Sequence, residues 1–232
     1  MFRPNKYFFP MTSGVIAVTS VMTILQFVFP EILFSLRRDP INFANGEWWR
    51  IITPLLVHSD GWIQYLFNIV CIAFLGIVVE RLYGKIQFLT LYLAGGVMGE
   101  IIGYAGWDPY GAGASVGFCG LLGGLVVAML RRKRRVHPIF AIAGLYIVVG
   151  LVGYASGQIY VTVSLYVATA FLISIFARRN NRLSFISSLV CLVGALILLV
   201  FRDIHGVAIL AGVSAAFILI LMREYPNRQN EV

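Results

Sequence analysis

Eight apolar stretches, each close to the roughly 20 residues that a helix needs to cross a bilayer, constrain this chain more than any other feature. The 232 residues are 59% hydrophobic and 12% charged, whereas soluble domains are about half apolar and about a quarter charged. A soluble fold of this size has too little interior for so much apolar surface. The pattern predicts an all-α, polytopic membrane helical bundle and, because no polar linker divides the chain, one membrane domain over residues 1–232. The stretches cover residues 11–30, 60–79, 86–106, 115–130, 138–155, 159–177, 184–201 and 204–222.

The basic residues indicate how this bundle is oriented. Eight crossings place both termini on one side, and that side carries all of the 18 Lys and Arg residues except Arg37, Arg38, Arg50 and Arg202. Positive charge concentrates on cytoplasmic loops, so both termini are expected in the cytoplasm. The net charge of +8 then reflects topology, and we expect no nucleic-acid partner. The short loops favour a bacterial plasma membrane.

The cysteines indicate neither a disulfide framework nor a metal site. Cys71, Cys119 and Cys191 all lie inside predicted spans and lack metal-ligand spacing. We therefore expect no cofactor and no metal. The first apolar stretch follows two basic residues, as a signal peptide would, but it is too long and lacks a cleavage site, so we expect a retained helix.

The fourth apolar stretch is short and begins with a serine. Its 115–130 range spans roughly 24 Å as a helix, less than the ~30 Å hydrocarbon core. The basic run at 131–135 holds its far end at the cytoplasmic surface, so Ser115 should lie below the outer surface. The preceding residues 106–113 must then dip inward, which is tolerated only around a water-filled or protein-lined recess.

The eighth stretch carries a histidine at its outer end. His205, Ala208 and Gly212 share one helical face, as Ser115 and Gly123 do in the fourth stretch. Small residues at this spacing let helix backbones approach closely. The two faces could therefore bring the serine hydroxyl and the imidazole within hydrogen-bonding distance.

A serine needs a base to become a nucleophile, and an adjacent imidazole supplies one. Each residue also has a simpler interpretation. Ser115 could only cap the fourth helix, and His205 could be an interfacial residue at a helix end. Ionisable residues inside a membrane are nevertheless functional candidates by default.

Five segments resemble, in order, the sequence signatures of the rhomboid family of intramembrane serine proteases. The resemblance covers residues 47–130 almost continuously and then 203–216. The segments are 47–54 (EWWRIITP), 58–68 (HSDGWIQYLFN), 80–84 (ERLYG) with Phe88 and Tyr92, 113–124 (GASVGFCGLLGG), and His205 with Ala208 and Gly212.

The resemblance implies that Ser115 is the nucleophile and His205 the general base, forming a dyad without a carboxylate. It also implies an oxyanion site made of the Ser115 backbone N–H, Asn68 and Gln64. Gln64 departs from the family, which usually carries histidine there, but its amide can still donate. Val116 replaces a small residue and should crowd the turn after the serine.

The resemblance also implies a rhomboid-like core, with one difference in topology. The family has one helix between its serine and histidine helices, whereas we count three here. The extra pair preserves the direction of the histidine helix but leaves open which of the three is the usual fifth helix. In the loop between the first two spans, Trp49 and Arg50 should act as structural anchors, and aromatic residues should embed part of this loop in the headgroup zone.

Three functions follow from these patterns. The first is endopeptidase cleavage of single-pass membrane proteins in or near their spanning helix, in an active site open to the outer side of the membrane. The partners would be transmembrane substrates and the lipid bilayer, and the sequence leaves the oligomeric state open. The second is a weakly active or inactive relative that binds membrane clients. The third is a transporter using Glu100, which we instead expect to hydrogen-bond nearby loop backbone.

Overall fold

A computed structural model describes residues 9–131, 136–176 and 179–229 of the chain. These residues form helices and connecting turns without a β-strand. The eight long helices are α1 (Pro10–Val28), α4 (Gly61–Tyr83), α5 (Lys85–Ile102), α6 (Ser115–Arg131), α7 (Pro138–Ala155), α8 (Ile159–Phe176), α9 (Asn180–Val200) and α10 (Ile204–Gln229).

The predicted polytopic bundle of about eight spans is confirmed. Seven helices are long and apolar enough to cross a membrane, and α6 is apolar but shorter, at 17 residues. Most of their ends lie close to the predicted ones because charged and turn residues interrupt the apolar runs, whereas α10 continues past the predicted end at residue 222 to Gln229. We call the end of the bundle at which α6 begins the serine end.

Helix α6 occupies the centre of the bundle. It packs against α10, α5, α4 and α9, and every side chain from Val116 to Val127 is buried. Glycines make the packing against α10 very close: a Cβ atom on Gly123 would lie 2.3 Å from the Ile209 carbonyl oxygen, and one on Gly212 would lie 2.2 Å from the Gly120 carbonyl oxygen. The predicted contact between the small-residue faces of these helices is confirmed.

The three helices between α6 and α10 differ in how much of each is enclosed. Helix α9 contacts both α6 and α10, and α7 contacts α9 and α4. Together α7 and α9 close the ring around α6. Helix α8 packs mainly on α7, and Thr169 is its one buried residue among those described.

Helix α1 is attached to α4 through polar groups. At one end, the Glu80 carboxylate accepts hydrogen bonds from the Thr12 backbone N–H (2.9 Å) and the Thr12 hydroxyl (2.8 Å). At the serine end, the Gln26 side chain pairs with the backbone N–H and carbonyl of His58 at 2.8 and 2.7 Å. The buried residues of α1 are all polar: Thr12, Thr19, Thr23 and Gln26.

The loop between α1 and α4 is folded into short helices. These are α2 (Glu31–Leu36), α3 (Pro40–Ala44) and the 3-10 turns Trp48–Ile51 and Thr53–Leu56. Buried Arg50 donates to the Phe34 and Arg37 carbonyls at 2.9 and 2.7 Å, which confirms its structural role. Trp49 is 52% exposed at the surface of the loop, and its anchoring role stays a prediction.

Candidate active site

Ser115 is the first residue of α6, and the segment before it is fixed by backbone contacts. The Gly113 N–H donates to the Pro54 carbonyl at 2.9 Å. The Ala112 carbonyl accepts from the Gln64 amide at 3.0 Å. Because the first N–H groups of a helix lack acceptors within it and carry the positive end of its dipole, the backbone around Ser115 favours a developing negative charge.

A π-helical turn at Gly103–Trp107 carries the chain from α5 towards this segment. Gly106 has φ +92°, a conformation that glycine adopts without the steric cost of a Cβ atom. The turn lets residues 108–114 reverse and enter α6 from the serine end.

The serine hydroxyl and the imidazole meet. Ser115 Oγ lies 2.8 Å from His205 Nε2, and His205 is the second residue of α10. The close packing of α6 and α10 brings together two residues 90 positions apart in the chain. A hydroxyl hydrogen-bonded to an imidazole nitrogen is the pair that nucleophilic catalysis by serine requires.

Asp203, which neither the sequence patterns nor the resemblance indicated, lies on the other side of the imidazole. Its Oδ1 lies 2.6 Å from His205 Nδ1 and accepts from the His205 backbone N–H at 2.8 Å. Burial raises the pKa of the Asp203 carboxyl. The charge and hydrogen bonds of His205 together lower this pKa by more than burial raises it, so the net shift is downward. A carboxylate thus lies beside the imidazole, a contact that the expected serine–histidine dyad does not include. The sequence feature that could have indicated this contact is the position of Asp203, directly before the predicted histidine helix.

Gln64 and Asn68 of α4 both lie against Gly113, two residues before Ser115. A Cβ atom on Gly113 would lie 2.7 Å from Gln64 Nε2 and 3.5 Å from Asn68 Nδ2. The Asn68 amide is buried and makes no hydrogen bond within the described part of the chain. Gln64 is more engaged, since its Nε2 donates to Ala112 and its Oε1 accepts from the Asp60 N–H at 3.0 Å. Asn68 thus keeps both amide protons available beside the serine segment.

Glu100 has a different partner from the predicted loop backbone. Its carboxylate lies 2.5 Å from the Arg38 guanidinium, and both side chains are almost fully buried. Arg38 also pairs with the Asp108 carboxylate and donates to the Asp108 carbonyl at 2.6 Å. The prediction of a backbone partner was wrong because an arginine from the loop after α1 enters the bundle. This cluster joins that loop, α5 and the segment leading to Ser115.

The predicted crowding by Val116 is also wrong. Its side chain is buried over Gly99 of α5, where a Cβ atom would lie only 2.6 Å from Val116 Cγ1. The glycine on α5 leaves the room that the larger side chain on α6 fills. Across the described ranges, no group of three or more His, Cys, Asp and Glu residues could hold a metal ion.

The Rhomboid domain profile matches residues 45–178, a range that ends before α9 and α10. The rhomboid protease GluP of Bacillus subtilis is 44% identical over 92 residues, which cover 39% of this chain and 18% of that protein. YdcA, a rhomboid-protease relative from the same organism, is 35% identical over 132 residues, covering 54% and 65% respectively. The rhomboid protease AarA of Providencia stuartii is 27% identical over 161 residues, covering 54% and 57%.

The chain spans less than two thirds of the length of each of these relatives. The profile match, however, covers more than half of the chain itself. Together with the apolar helices, it makes this an integral, multi-pass membrane protein, and the chain belongs to the rhomboid family.

Proposed function

We propose that this protein is an intramembrane serine endopeptidase that cleaves single-pass membrane proteins in or near their transmembrane segment. The observation that carries the proposal is the 2.8 Å separation between Ser115 Oγ and His205 Nε2. The family of the chain supports the same reaction, since the relatives GluP and AarA are named rhomboid proteases.

In the proposed reaction His205 Nε2 takes the Ser115 proton as Oγ attacks a peptide carbonyl of the substrate. The tetrahedral intermediate collapses when His205 protonates the leaving amine, which leaves the acyl group on Ser115. Water then attacks the ester with His205 again acting as base, and the cleaved acid departs. Every proton moves through one nitrogen that already faces the hydroxyl.

The oxyanion would be stabilised by the Ser115 backbone N–H and the α4 amides. Asn68 suits this role because its buried amide has no hydrogen-bond acceptor among the described residues. Gln64 would contribute less, because one of its N–H groups already donates to the Ala112 carbonyl. Loss of one oxyanion donor typically lowers the rate by ~10²–10³, so Asn68→Ala should have the larger effect of the two.

We further propose that the site opens towards the outer side of a bacterial plasma membrane, with both termini cytoplasmic. Substrates must present an extended strand to Ser115, and an intact helix hides its carbonyl groups in its own hydrogen bonds. Transmembrane segments weakened by Gly or Pro should therefore be preferred.

The test is labelling with a fluorophosphonate, which reacts with activated serines, on protein reconstituted in liposomes beside a single-pass substrate. Labelling and cleavage should be present in the wild type and lost in Ser115→Ala and His205→Ala. Ser188→Ala is the matched control, because that buried hydroxyl donates only to the Ser184 carbonyl within α9 and its loss should leave both activities intact.

Two outcomes would reject the protease. One is no reaction of the wild type with the probe, and the other is equal labelling of wild type and Ser115→Ala. If the wild type does not react with the probe but binds a single-pass protein without cleaving it, a client-binding relative would be favoured instead.

A further inference from the structure

We propose that Asp203 is a positioning residue for His205, so that the reactive centre works as a serine–histidine–aspartate triad. This inference rests on the proposed protease function and adds a third side chain to it. Its basis is geometric: the Asp203 carboxylate lies 2.6 Å from the imidazole nitrogen that faces away from Ser115.

The contact determines which imidazole nitrogen is the base. A carboxylate only accepts hydrogen bonds when ionised, so the proton between Asp203 and His205 resides on Nδ1. The Nε2 lone pair is then directed at the Ser115 hydroxyl. In soluble serine proteases the same contact holds the imidazole in its productive tautomer and stabilises the imidazolium formed during attack.

The turn that carries Asp203 is tightly held. The Asp203 N–H donates to the Leu198 carbonyl at 2.9 Å, and the Asp203 carbonyl accepts from the Gly206 N–H at 3.2 Å. Arg202, just before it, has φ +54°, a left-handed conformation that is costly for a residue with a side chain. Gly206 packs directly on the backbone of α9, because a Cβ atom there would lie 2.6 Å from the Ala195 carbonyl oxygen. The Asp203 carboxylate therefore belongs to a short turn that hydrogen bonds and close packing against α9 hold in place.

Asp203 also caps α10, because its Oδ1 accepts the His205 backbone N–H. Capping alone would explain an aspartate here. It does not require a bond to the imidazole, and a serine would cap as well. The two roles therefore differ in what a serine or an asparagine at position 203 should preserve.

The other charges around the imidazole come from α5 and the segment after it. Glu100 lies within electrostatic range of His205, but it is paired with Arg38. Asp108 belongs to the same cluster through Arg38. On α6 the groups near Asp203 and the imidazole are the hydroxyl of Ser115 and the buried thiol of Cys119. Asp203 is thus the carboxylate in direct contact with the imidazole.

The experiment compares Asp203→Asn and Asp203→Ser with wild type in the full-length, reconstituted protein. Second-order labelling by the fluorophosphonate is measured from pH 5 to pH 9, beside the thermal unfolding midpoint. Both variants keep a cap and should unfold near the wild-type temperature. Labelling should fall at least ~10-fold, and up to the ~10⁴-fold seen when a triad carboxylate becomes an amide. The pH dependence of labelling should also differ from wild type in Asp203→Asn, because the carboxylate that stabilises the imidazolium formed during attack is gone.

Asp60→Asn is the matched control. This exposed carboxylate also precedes a helix at the serine end, but it makes no capping hydrogen bond, so rate and profile should stay unchanged. A ¹⁵N-histidine NMR spectrum of the wild type adds a readout that needs no activity: the neutral imidazole of His205 should carry its proton on Nδ1 and leave Nε2 unprotonated.

Each result bears on a separate claim. If the wild type is labelled at Ser115 and Asp203→Asn has the same labelling rate and pH profile, the triad is overturned and the protease function remains. A wild type that never reacts through Ser115 would remove the protease, and the NMR tautomer would then decide on its own whether Asp203 positions the imidazole.

Discussion

Replacement of Gly123 by alanine should separate the serine and histidine helices. The new Cβ atom would lie 2.3 Å from the Ile209 carbonyl oxygen and 2.5 Å from the Val213 nitrogen, where ordinary contacts begin at 3.4 Å. Both neighbours are backbone of α10, so no side chain can rotate away and the helices must part by about 1 Å. Such a shift would stretch the 2.8 Å bond between Ser115 and His205 beyond hydrogen-bonding range. Misplacement of this size can cost about 10²-fold in rate, and overpacking typically costs about 1–3 kcal/mol of stability.

The assay combines fluorophosphonate labelling with thermal unfolding in detergent. Gly123→Ala should lose about two orders of magnitude in labelling rate and unfold several degrees below wild type. Gly14→Ala is the control, because a Cβ atom on Gly14 of α1 would meet nothing within 4 Å, and alanine is the better helix former. Equal behaviour of Gly123→Ala and Gly14→Ala in both measurements would refute the predicted separation of the two helices.

Three further predictions concern stability. Arg38→Met should lower the free energy of unfolding by about 3–5 kcal/mol, because it leaves Glu100 buried and unpaired. A second substitution, Glu100→Gln, should recover most of that loss. Equal losses in the single and double variants would contradict the pairing. Glu80→Ala should cost about 2 kcal/mol in chemical unfolding, because the start of α1 loses its carboxylate acceptor; an unchanged midpoint would argue against this attachment. Burial lowers the pKa of His58 from 6.5 to about 4, so the unfolded chain binds a proton that the folded protein does not. Stability present above pH 6.5 should fall by about 3 kcal/mol as the pH drops to 4, and His58→Gln should flatten this part of a curve of thermal midpoint against pH.

The sequence predicted the spans and the serine–histidine pair well, for physical reasons. Apolar runs bounded by charged residues leave little choice about where helices begin and end in a bilayer. The shared face of Ser115 and Gly123, and that of His205 and Gly212, predicted a close helix crossing, and each glycine does lie against backbone of the facing helix.

Other features depended on contacts that local patterns do not encode. Arg38 lies in a loop 62 residues from Glu100, and only the path of that loop into the bundle brings them together. Val116 was expected to be crowded because the gap at Gly99 lies on another helix. The contact between Asp203 and His205 depends on the side-chain conformations at the start of α10, which the order of residues does not specify.

The polar attachment of α1 has a mechanical consequence. Apolar contacts between helices in lipid are non-directional, whereas hydrogen bonds require a defined donor–acceptor geometry and so hold one register. Glu80 accepts a hydrogen bond from Thr12 near the start of α1. His58 accepts one from Gln26, which lies about 21 Å further along α1 at 1.5 Å per residue. A bilayer that becomes thinner or thicker can tilt α1 and α4 together but cannot shift one along the other. The height of the loop that follows α1 above the serine end is therefore fixed by the protein rather than by the surrounding membrane.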